Sequence, residues 1–108
     1  MNTLNLTEKE KAAVLVALDI CKNADKPTYK GVEFSASVRD EKTSSCLTKL
    51  TNPLLTSGFT NDECVFLEYA VMYALNTPLF LLNDCAPFLQ SAASKIMDIT
   101  DELLYPQG

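Results

Sequence analysis

The sequence predicts an all-α protein: a compact antiparallel bundle of about four helices, with one short extended segment (about residues 32–38) between the first and second. Three observations carry this expectation. Two Thr-x-x-Glu capping boxes, Thr7–Glu10 and Thr60–Glu63, each stand directly before an apolar run. Apolar residues recur with helical period in the first and last thirds of the chain. Between Cys64 and Leu75 the only charged residue is Glu68, so that segment must be covered on nearly every side. With 108 residues there is room for one domain, 1–108, around one core.

The first helix follows Thr7 as N-cap and places Ala13, Val14, Ala17, Ile20, Cys21 and Ala24 on one face, opposite Glu8, Asp19 and Asn23. Asn23 to Pro27 ends it, because the residue before proline resists the helical region. From Val32 to Arg39 the rule changes to alternation: Val32, Phe34, Ala36 and Val38 against Glu33, Ser35, Ser37 and Arg39. A half-buried strand has that pattern, yet no second segment offers an obvious partner. Three readings stay open: an extended linker across the core, a strand paired with another chain, or the start of the next helix.

A second, weaker helix is expected over Arg39–Thr51, with Cys46, Leu47 and Leu50 on one side, stopped by Asn52-Pro53. Pro53-Leu54-Leu55 could open a further turn. The third helix begins after Thr60 and ends at Asn76-Thr77-Pro78. Its inner arc is Phe66, Leu67, Ala70, Val71 and Ala74. A buried turn is expected at Pro78–Leu82, and Asp84 is the expected cap of the last helix, with Pro87 in its first turn. That helix carries an inner stripe of Phe88, Leu89, Ala92, Ile96, Ile99 and Leu103, against an outer face of Gln90, Ser94, Asp98 and Asp101. Short connections between such helices favour antiparallel packing. No internal repeat is visible.

Composition excludes more than it selects. The N-terminus has neither a basic nor an apolar signal-peptide region, and no unbroken apolar stretch reaches the roughly 20 residues of a membrane span. A cytoplasmic location without membrane partners is expected. Cys21, Cys46, Cys64 and Cys85 are far apart, no CxxC pair occurs and there is no histidine, so no metal or cofactor is expected and the cysteines read as reduced, buried hydrophobes. Without histidine, a GxSxG elbow or a phosphate-binding glycine loop, nothing points to an enzyme. Net charge is −5, and residues 59–108 hold Lys95 as their single cation. A chain with no clustered Lys or Arg is poorly suited to a phosphate backbone, so nucleic acid is an unlikely partner.

What remains is recognition of another protein. The outer arc of the third helix holds Val65, Glu68, Met72 and Asn76 with Tyr69 beside it, and methionine and aromatic residues are enriched where proteins meet. Asp98, Asp101 and Glu102 lie in the last turns of the final helix, where the helix dipole does not favour them, and form a second candidate patch. The expected function is a non-enzymatic interaction module (an adaptor, inhibitor or assembly component, of the kind phages and mobile elements encode), binding a protein partner or itself as a homodimer. The alternative is a transcriptional regulator with a helix-turn-helix-like core, which needs a recognition helix followed by a paired wing.

Overall fold

The computed structural model describes residues 2–52, 58–77 and 84–104. The turns expected at Pro53–Leu55 and Pro78–Leu82 lie outside the described residues. Among those described, four helices and one small hairpin follow in the order α1 (Glu8–Asn23), β1 (Thr28–Tyr29), β2 (Val32–Glu33), α2 (Ala36–Thr51), α3 (Asn61–Leu75) and α4 (Ala86–Leu104). This is the small all-α bundle that the sequence predicts. α1 and α3 pack on each other, and α2 and α4 each lie against both.

The extended segment is shorter than its alternation suggests, and it has a partner. Thr28 pairs with Glu33 and Tyr29 with Val32 in a two-stranded antiparallel ribbon. The turn between them is Lys30-Gly31, with φ of 52° and 76°, the two positive values that a two-residue type I′ connection requires. Ser35 then accepts the Val38 amide as an N-cap, so Ala36–Val38 form the first turn of α2 rather than the end of a strand. Alternation across 32–38 therefore spans two elements, because a helical first turn can follow an extended run without breaking an apolar-polar alternation. α4 also starts later than expected. The Leu89 amide donates to the Cys85 carbonyl, which puts the cap position at Cys85 and leaves Asp84 in the preceding turn.

Both capping boxes form, and both do more than cap. The Thr7 amide donates to Glu10 Oε1 at 2.8 Å, and the Glu10 amide to Thr7 Oγ1 at 3.1 Å. The same Glu10 carboxylate accepts from Ser91 Oγ and Lys95 Nζ of α4, both at 2.7 Å. Glu63 repeats the arrangement. It accepts the Thr60 amide at 2.7 Å, Lys49 Nζ at 2.5 Å and the Ser45 hydroxyl, the last two from α2. Both glutamates are buried. Burial alone would raise a carboxyl, but these hydrogen bonds, the lysine's foremost, outweigh it and hold Glu10 and Glu63 down at about 2.

The resemblance between halves runs further. Counting from Thr7, the buried apolar positions of α1 are Ala13, Val14, Ala17, Leu18 and Cys21. Counting from Thr60, Phe66, Leu67, Ala70, Val71 and Ala74 fall at the same distances. In both halves the glutamate is held by a Ser-x-x-x-Lys pair of the other half's second helix: Ser91/Lys95 for Glu10, Ser45/Lys49 for Glu63. Such an exchange is what two helical hairpins related by a two-fold would make. The side chains differ too much for a repeat to show in the sequence, but the plan is repeated.

Arg39 links the halves of the first hairpin. Its Nη1 donates to the carbonyls of Cys21 and Ala24 at 2.9 and 2.8 Å, closing the C-terminus of α1 with a buried cation. Thr43, one turn on, is buried with its hydroxyl unpartnered.

Two stability predictions follow from these contacts. Because Glu10 and Glu63 titrate in the folded state near 2 against 4.5 ordinarily, their contribution is complete above about pH 5 and is lost as pH falls through that window. Urea midpoints should drop steeply between about pH 5 and pH 2, and Glu63→Gln, costing about 2–3 kcal/mol at pH 7, should flatten that slope. Thr43→Val should be neutral or stabilising by up to about 1 kcal/mol in the same assay, since it removes a buried hydroxyl that makes no bond.

Candidate functional site

The question posed by α3 is what covers it. Phe66, Leu67, Ala70, Val71 and Ala74, the inner arc read from the sequence, are all buried. Tyr69 is not on the outer face: it is only 2% exposed, and its hydroxyl donates to the Pro27 carbonyl. Phe34 stands edge-on to Tyr69 and Phe66, with centroids 4.8 and 5.5 Å away. The segment from Pro27 to Phe34 thus closes the Tyr69 side of α3, which removes Tyr69 from the candidate surface. Burial pushes its phenol up to about 12, with the neighbouring Cys21 adding to the shift.

On another side of α3, Met72 and Leu75 pack against the core yet stay half-buried among the described residues. Met72 and Leu75 of α3, with Ala93 and Met97 of α4, supply the apolar lining of a groove of about 380 Å³. Gln90, Ser94, Asp98 and Asp101 complete its lining along α4. Two features singled out separately in the sequence, Met72 on one helix and Asp98 with Asp101 on another, therefore meet at one place. Helix packing brings them there: α4 lies along α3 with the small Ala92 and Ala93 towards the bundle, which lets the axes approach.

The remaining candidates lie elsewhere. Val65 and Glu68 are half-buried and outside the groove, and Glu102 is exposed beyond its lining. Asn76 is exposed and folds its side-chain amide back to the Met72 carbonyl at 2.9 Å, a cap on the helix end. Leu75, Ala93 and Met97 were missed by sequence reasoning. The signal for Leu75 was present, since it follows Met72 at helical spacing. Met97 gave none, because whether it faced inward depended on where α3 lay.

Electrostatically the groove is one-signed. Among the described residues its ionisable lining is Asp98 and Asp101, and neither takes part in an ion pair there. Lys95, one helical face away, is committed to Glu10 and to the Asn5 carbonyl at 3.1 Å.

The cysteines offer little chemistry. Cys21, Cys46 and Cys64 are buried and free. Burial pushes Cys21 up to about 11 and Cys46 to about 12, with Glu63 adding to the shift of Cys46, and it raises Cys64 in the same way. All three stay protonated near neutrality and are poor nucleophiles. Among the described residues no three carboxylate or thiol side chains converge as a metal site, and no helix is long and apolar enough to cross a membrane. No family model, curated protein or solved structure matches the chain.

The two sides of α3 should respond oppositely to substitution. Tyr69→Ala should cost about 3–5 kcal/mol in chemical denaturation, and Tyr69→Phe about 1 kcal/mol for its hydrogen bond. Met72→Glu should cost about 1 kcal/mol or less. A Met72→Glu loss as large as that of Tyr69→Ala would make the groove wall part of the core.

Proposed function

We propose that this chain is a non-catalytic protein-interaction module, and that the groove between α3 and α4 is its recognition surface. The observation that carries the reading is the meeting of Met72 and Leu75 with Met97, Asp98 and Asp101 around one open trough. A groove with an apolar floor and a polar rim is the anatomy of a protein-binding patch, and methionine side chains adapt to differently shaped partners. The buried thiols and the acid-capped helix ends serve the fold. A cytoplasmic adaptor or inhibitor role fits this reading.

A symmetric homodimer built on the groove is the weaker form of the proposal. A two-fold contact sets a patch against itself, and here it would bring Asp98 and Asp101 towards their own copies. A different protein chain avoids that repulsion.

The test uses the full chain as bait in extract from its source, with Met72→Glu and Met97→Glu as matched baits shown by circular dichroism to be folded at the assay temperature. Proteins retained by the unaltered chain should be lost from both variants by tenfold or more. Retention of the same proteins by both variants would place recognition on another face. Light scattering over a dilution series should return a monomer mass of 11.9 kDa.

A further inference from the structure

Resting on that reading, we infer that the groove accepts a cationic amphipathic α-helix from another protein. Length is the first argument. Along α4 the lining runs from Gln90 to Asp101 for about 16 Å, or about three helical turns at 1.5 Å per residue, and α3 flanks it for one turn from Met72 to Leu75. Shape is the second. A trough between two packed helices matches the ridge of a third, which would lay residues spaced i, i+3, i+4 and i+7 over Ala93 and between Met72 and Met97.

Backbone chemistry is the third argument. The groove is walled by helices, so it presents side chains and no free sheet edge. An extended peptide would lose water from its amides and carbonyls and find no ladder to replace it, whereas a helix satisfies them internally. Charge is the fourth. Among the described residues the rim offers carboxylates from Asp98 and Asp101 and no cation, and Asp101 stands in the last turn of α4, whose dipole adds to the negative field there. Lys or Arg flanking the apolar stripe of a partner helix complements that field, while a phosphate backbone or an acidic helix is repelled.

The probe is a synthetic peptide of about 14 residues, four turns long, with leucines at i, i+3, i+4 and i+7 and lysines elsewhere. Two controls accompany it: the same leucine face with glutamates for lysines, and the lysine peptide scrambled so that its leucines share no face. Binding to the full chain is followed by fluorescence anisotropy, and its location by the methyl resonances of Met72 and Met97. The amphipathic lysine peptide should shift both methyls, bind at least tenfold more tightly than either control, and lose at least tenfold in Asp98→Lys/Asp101→Lys. Equal binding of the scrambled peptide, shifts confined to another face, or indifference to charge reversal would overturn the assignment. If the glutamate peptide shifts the methyls instead, or Met97→Glu abolishes a self-association seen by light scattering, the groove still recognises protein but the cationic helix is wrong. If no peptide reaches either methyl and the extract-derived partners ignore Met72→Glu, the groove reading falls with it.

Discussion

The structure is organised by the need to cover α3. Eight of its fifteen residues are buried, and a helix that apolar cannot be held in water by its own propensity. α1 and α4 take the flanks of its inner arc, α2 holds its N-terminus through Glu63, and the hairpin lays Phe34 against Phe66 and Tyr69. Each other element can be understood by the part of α3 it conceals. Among the described residues Val65, Glu68, Met72, Tyr73 and Leu75 are left half-covered, and the groove opens at Met72 and Leu75.

The same constraint explains why both capping glutamates carry tertiary weight. A capping box in an isolated helix exchanges two hydrogen bonds with its own backbone. Here each glutamate is also gripped by a serine and a lysine one turn apart on a helix of the other half of the chain. That ties the start of α1 to α4 and the start of α3 to α2, so the ends cannot fray without breaking contacts between hairpins. The charges are buried, but each has enough donors to offset its desolvation. A bundle pinned at two such points can leave one face of its central helix uncovered and still hold its shape.

Much of this was legible in the chain. Helix starts at Thr7 and Thr60 follow from local hydrogen bonding, and the inner arc of α3 follows from period alone; in α1 and α4 period found most of the inner face but missed Leu18, Ala93 and Thr100. Less visible were features that depend on two segments at once. Tyr69 lies at the edge of the outer arc on a wheel, and only the Pro27 carbonyl and the Phe34 ring decide that it is inside. Thr28-Tyr29 is too short to read as a strand until Lys30 and Gly31 turn the chain back on it. The pairing of Glu10 with Lys95, and of Glu63 with Lys49, joins residues that no local pattern connects.

By itself the sequence determined the class of fold, the starts of α1 and α3 set by their capping boxes, and the presence of one helix too apolar to stand alone. These are properties of single segments, governed by propensity, capping and periodicity, so neighbouring residues suffice to specify them. Tertiary structure decided which side of that helix is closed and which is open, and it brought Met72 and Asp98 to the same trough. The physical reason is that a surface is what remains after packing, and packing depends on where separate helices lie.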